Sequence, residues 1–197
     1  MSKAEQTRQF IIESTASLFN KNGFAGTSLS DMTKATGLTK GSIYGNFKNK
    51  EEVAIEVFKH NSGQLAKKME AAMDAESSYY KKLLAFTDFY RNNWDSLLEK
   101  GGCPLLNSAT EMDDALPFMK PTVQHSFTKL SSRIEKTIEL GKEQGEFKQD
   151  VNSAQLASLF IMLIEGGILV SKTLENRQHL NQALDRIQKI ITEELLA

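Results

Sequence analysis

A single cysteine, Cys103, leaves no way to form a disulfide within the chain. Only three prolines interrupt it, so helices can run long. Neither a phosphate-binding glycine loop nor a nucleophile elbow occurs. His60, His125 and His179 stand far apart and lack paired ligand spacing, so no metal site is expected. The longest apolar stretch, 154–170, is broken by Ser158, Glu165, Gly166 and Gly167, which argues against a membrane span. Residues 1–8 are polar and lack the apolar core of a signal peptide. These absences lead us to expect a cytoplasmic protein with no membrane contact, cofactor or catalytic residue.

What remains is an ordinary soluble composition, 40% hydrophobic and 25% charged, with a net charge of −1. Its charge is unevenly spread. Residues 1–50 hold Lys3, Arg8, Lys21, Lys34, Lys40, Lys48 and Lys50 against Glu5, Glu13 and Asp31, so the first quarter is basic and the rest acidic. A basic end on an acidic body suits a protein that meets phosphate with that end.

Helical spacing dominates the whole chain. Phe10, Ile11, Ser14, Leu18 and Phe19 mark a first helix over 7–22, ended by Gly23. Ser28-Leu-Ser-Asp31 reads as a capping box for a short second helix ended by Gly37. Leu38 is the apolar turn residue, and Thr39 caps a third helix over 40–47. Two short helices joined by a glycine turn have the layout of a helix-turn-helix. Further helices are expected over 51–73, 79–98, 104–112, 123–144, 153–174 and 180–196. The fold class is therefore all-α, with about nine helices. A three-helix helix-turn-helix domain occupies 1–50, and a larger helical domain occupies 51–197.

The segment 23–50 carries a more specific signal. Gly23-Phe24, Thr27, the Ala35-x-Gly37-Leu38 turn, Lys40-Gly41-Ser42-Ile43-Tyr44, Phe47 and Lys48-x-Lys50-Glu51 follow one another in order. In these positions the chain resembles the DNA-binding domain of the TetR family of bacterial regulators. It departs from that pattern at Gly45 and Asn46, where family members commonly carry an aromatic residue and a histidine. The resemblance implies a DNA-binding regulator, in most cases a repressor released from a palindromic operator by a small-molecule effector, and acting as a homodimer.

Recognition helices present their N-terminal residues to the major groove. Thr39, Lys40, Gly41 and Ser42 lie there. Tyr44 has two readings, a phosphate contact through its hydroxyl or a buried aromatic. Asn46, Lys48 and Lys50 follow at the helix end and suit DNA contact. Thr27 and Ser28 are expected to cap the second helix and also to hold phosphate. Ile43, Phe47, Met32, Leu29 and Leu38 read as the core of the three helices.

Expected pocket residues are Phe89, Trp94, Cys103, Phe118, Phe127, Phe160 and Ile164. Cys103 belongs to a Gly101-Gly102-Cys103-Pro104 stretch similar to one in a TetR subgroup that includes regulators responding to reactive electrophiles. Its thiol at a helix start has one reading as a small core side chain and another as a sensor. The helix 51–73 is the expected switching link between pocket and DNA. Ser158, Gly166 and Gly167 are expected to allow close approach in a dimer built from the last two helices. Two other functions stand against this one, an all-helical enzyme and a partner-binding protein with a vestigial helix-turn-helix. The first finds no base, nucleophile or metal cluster, and the second leaves Lys40, Tyr44, Lys48 and Lys50 without a role.

Overall fold

The computed structural model describes residues 2–112 and 116–197. Among them it contains helices and one isolated bridge, Phe147 to Leu196, but no strand. The chain packs into two compact units. One takes in residues up to Gln64 together with Lys100–His125, and the other comprises Leu65–Glu99 with Ser126–Ala197.

The first unit opens with α1 (Lys3–Asn22), which starts earlier than apolar spacing alone suggested. Ser2 and Glu5 form a reciprocal capping box that satisfies the free N–H groups of its first turn. Ile11, Ile12, Thr15 and Phe19 form its buried face. α2 (Leu29–Thr36) begins at the Ser28–Asp31 capping box and ends at Gly37. α3 (Lys40–Asn46) is capped by Thr39, whose hydroxyl accepts the Ser42 N–H. Met32, Ile43 and Phe47 are buried between the helices, while Leu29 and Leu38 are only half-buried. α4 (Lys50–Asp74) adds Val53, Ala54, Val57 and Phe58 to this core. α7 (Pro104–Met112) also belongs to this unit, starting at the proline that fits a first helical position.

In the second unit the helix expected over 79–98 is two helices, α5 (Tyr79–Asn92) and α6 (Trp94–Glu99). Asn93 makes the break. Its side chain and its own N–H both donate to the Phe89 carbonyl, and its carbonyl accepts the Leu97 N–H of the next helix. α8 (Lys120–Glu143) begins beyond Pro117 and buries Ile134 and Ile138.

α9 (Ser153–Thr173) is long and apolar enough to cross a membrane, by length and composition alone. That differs from the expectation drawn from its interruptions, because two small glycines and one acid do little to lower the hydropathy of 21 residues. Its Phe160, Ile164, Gly167 and Ile168 side is packed inside this unit. The partner is α10 (Gln178–Lys189), which buries Leu180, Leu184 and Ile187 and packs extensively against α9. A Cβ on Gly167 would meet Ala183 Cβ at 3.1 Å and the Leu180 backbone at 3.2 Å. Gly167 therefore serves close packing inside one chain, where a role between chains was expected. After α10 the chain widens into a π-helical segment, Ile190–Leu195. Its five-residue spacing puts Ile190 and Leu195 on the same buried side.

Two glycine substitutions should move stability in opposite directions. Gly167→Ala forces α9 away from α10 and is expected to destabilise the fold by about 1–3 kcal/mol. Gly45→Ala adds a Cβ where nothing lies within 4 Å. It is expected to stabilise α3 by about 0.5–1 kcal/mol. Urea denaturation of both variants checks the pair, and a shift of the same sign in both contradicts it.

Candidate nucleic-acid interface

α3 has two contrasting sides. Ile43 and Phe47, four residues apart, are buried. Thr39, Lys40, Gly41, Gly45 and Lys48 are exposed, with Ser42, Tyr44 and Asn46 half-buried. The helix N-terminal turn thus offers two hydroxyls, an ammonium and a glycine backbone to whatever approaches it.

The C-terminal end of α3 is held from α1. Arg8 Nη1 donates to the Asn46 carbonyl at 2.7 Å, and its guanidinium lies 4.1 Å from the Phe47 ring centroid. Its Nη2 pairs with Glu52 at 2.8 Å. The other Glu52 oxygen accepts the Lys48 N–H at 2.7 Å. Asn49 Oδ1 in turn accepts the Glu52 N–H at 2.9 Å, capping α4. One carboxylate therefore ties α1, the α3–α4 turn and the start of α4 together. The Lys48 N–H, then Arg8, hold the Glu52 carboxyl below its ordinary 4.5.

Three side chains expected on DNA are committed to the protein instead. Thr27 is fully buried, with its hydroxyl donating to the Gly23 carbonyl at 2.7 Å. The Ser28 hydroxyl donates to Asp31 at 2.6 Å while accepting the Asp31 N–H, so both of its roles are used in the cap. That hydrogen bond, with one from the Ser28 N–H, holds the Asp31 carboxyl below its usual range and keeps a negative charge at the start of α2. Lys50 places its ammonium 4.2 Å from the Phe24 ring centroid and donates to the Phe24 carbonyl. Burial lowers its pKa from the ordinary lysine value. Asn46 is partly engaged as well, its side-chain amide donating to the Ser42 carbonyl at 2.9 Å.

The expected pocket residues are divided between the two units. Phe89, Trp94, Phe160 and Ile164 are buried in the second unit, and Phe127 is half-buried there. Phe89 lines an open groove of about 550 Å³ with Ala72, Glu76, Leu84 and Asp88. Cys103 and Phe118 lie in the first unit. Phe118 meets Phe24 edge-on with ring centroids 5.1 Å apart. Cys103 is buried, and its carbonyl accepts the Asn107 N–H, the first bond of α7. Among the described residues no cluster of three metal-binding side chains occurs.

Arg8, Asn20, Asn107 and Glu111 escaped sequence reasoning. Arg8 counted there only as one more positive charge. The other three act on backbone groups remote in sequence, a pairing that neither periodicity nor motif spacing signals.

A short helix with a polar outer face, set on a buried apolar wedge beside two supporting helices, defines a DNA-binding helix-turn-helix protein. Comparison with known proteins agrees. Residues 11–57 match the family described as bacterial regulatory proteins, tetR family, and residues 80–187 match the tetracyclin repressor-like C-terminal domain. A TetR-family regulator from Cytophaga hutchinsonii is 40% identical, with a TM-score of 0.93 over 97% of this chain and 96% of that one. Another from Chloroflexus aurantiacus is 32% identical, with a TM-score of 0.91 over the full length of both chains. The HTH-type transcriptional repressor DhaR of Mycobacterium sp. (strain GP1) is 25% identical over 90% of this chain and 88% of its own. The chain belongs to the TetR family and is a DNA-binding transcriptional regulator.

The Glu52 clamp sets a pH dependence. A carboxylate with a depressed folded pKa stabilises the fold fully above its unfolded value, and that contribution is lost as pH falls through the lower folded value. Near neutral pH the parent should exceed Glu52→Gln by about 1 kcal/mol. That advantage should shrink as pH drops below 4.5 and vanish in stronger acid. Thermal melts across this range check it. Parallel curves for the two proteins would mean that Glu52 does not act through its charge.

Proposed function

We propose that this protein is a repressor that holds a palindromic operator as a homodimer and releases it when a small molecule binds. The observation carrying the DNA reading is the exposed N-terminal face of α3. In this reading Thr39, Lys40, Gly41 and Ser42 meet base edges and backbone in the major groove, and Tyr44 and Lys48 meet phosphate. Asn46 stands at the margin, and Thr27, Ser28 and Lys50 shape the surface without touching DNA. The repressor sign is supported by DhaR and by NemR of Escherichia coli, both named as repressors. Residues 1–50 read DNA and 51–197 bind effector and dimerise. The site of action is the cytoplasm, where the operator lies.

The dimer is supported by α9. Met162, Leu169, Val170 and Leu174 are 61%, 47%, 40% and 59% exposed, which is a large uncovered apolar surface for one helix. Gly166 lies on the outside too, with open space around it. The exposed positions of α10 are polar, so α9 supplies the apolar part of the contact. A twofold dimer places its recognition helices about 34–36 Å apart, or a multiple of that. The effector enters the second unit, where the open groove at Phe89 sets Ala72, Leu84 and Ala85 beside Glu76, Lys81, Asp88 and Asn92, a mixed lining suited to a polar molecule with an apolar part.

Two experiments test this reading. In gel shifts with a duplex selected by the protein from a random pool, Lys48→Ala should weaken all binding and flatten the salt dependence by about one unit per lost phosphate contact. Lys50→Ala should leave that slope unchanged and lower thermal stability instead. Equal slope changes in both would return Lys50 to the DNA surface. Met162→Glu combined with Leu169→Glu should sediment as a monomer where the parent sediments as a dimer. A parent that is monomeric at micromolar concentration removes the dimer.

A further inference from the structure

The turn between α1 and α2 has few partners in its own helices. Its Phe24 and Ala25 N–H groups instead donate to the two carboxylate oxygens of Glu111 on α7, at 2.7 and 2.8 Å. A Cβ on Gly23 would fall 2.6 Å from that carboxylate, so the approach depends on glycine. On the other side of the turn Lys50 holds the Phe24 carbonyl, and Phe118 packs on the Phe24 ring. One helical turn before Glu111, Asn107 donates to the Asn20 and Gly101 carbonyls at 3.0 and 2.9 Å. Asn20 returns hydrogen bonds to the Lys100 and Gly102 carbonyls at 2.6 and 3.0 Å. Pro104, Ser108 and Glu111 border a cavity of about 30 Å³ against α1 and α4. That volume has room for one water. At this face polar contacts join the burial of Pro104 and Leu105 in holding α7 to the helices of the first unit.

We propose that Glu111 is a positioning residue for operator recognition: it fixes the turn that sets where α2 and, through it, α3 stand. This rests on the DNA-reading role of α3 given above. Glu111 touches no DNA itself. Its loss therefore removes no phosphate contact and leaves the salt slope alone. It blurs the fit of α3 to its preferred sequence.

The test compares the parent with Glu111→Gln and Glu111→Asp, by fluorescence anisotropy on a duplex the parent selects from a random pool and on an unrelated duplex. Glu111→Gln keeps the volume but sets an amide donor against an N–H. It should bind the selected duplex about tenfold more weakly. Affinity for the unrelated duplex and both salt slopes should stay as in the parent. Amide exchange in a peptide covering 20–28 should quicken. Glu111→Asp, which keeps the charge with a shorter reach, should recover part of the selected-site affinity. The proposal is overturned if selected-site affinity stays within about twofold of the parent while exchange quickens. It is also overturned if both duplexes are lost equally, or if the loss tracks the unfolded fraction seen by circular dichroism in both variants.

Discussion

A helix of seven residues cannot hold itself together in water, because nucleation consumes most of what its few hydrogen bonds return. α3 exists because Ile43 and Phe47 are buried beside α1 and α2, and every side chain on its exposed face depends on that wedge. The arrangement around it stabilises both ends. Thr39 caps the start, and Arg8 binds the last carbonyl and covers the Phe47 ring. Glu52 then fixes Arg8 and the following turn at once. An interface that must present polar groups to a partner is thereby built from apolar burial and from ionic contacts turned inward.

Much of the fold was legible because its punctuation is local. Ser28 with Asp31, Thr39, Gly37 and Pro104 act on neighbours within a turn, and they mark where α2, α3 and α7 begin or end. The split at Asn93 was not legible. An asparagine side chain that competes with the backbone for a carbonyl looks the same in sequence as one that points to solvent. The early start of α1 was hidden for a related reason, since its first turn is polar and is held by a cap rather than by an apolar stripe.

The candidate site was half legible. Thr39, Lys40, Gly41, Ser42 and Lys48 stand outward as their positions on a recognition helix imply. Thr27, Ser28 and Lys50 have the right chemistry for phosphate, but Thr27 is buried, the Ser28 hydroxyl is spent in its own cap, and the Lys50 ammonium is held at the Phe24 carbonyl and ring. Glu111 was invisible because its partners are backbone amides 86 and 87 positions away. Apolar spacing marked Phe89, Trp94, Phe160 and Ile164 as buried without saying which of them share a cavity.

Turning Arg8 and Lys50 inward has a consequence for how the protein searches a chromosome. Sequence-independent attraction to DNA scales with the cations free to displace counterions, and here the N-terminal unit retains fewer than its composition suggests. Asp31, kept ionised at the start of α2, subtracts further from the local potential. In general, weaker sequence-independent attraction means shorter visits to irrelevant stretches of duplex. The lower that general attraction, the larger the share of binding that sequence-specific contacts must supply.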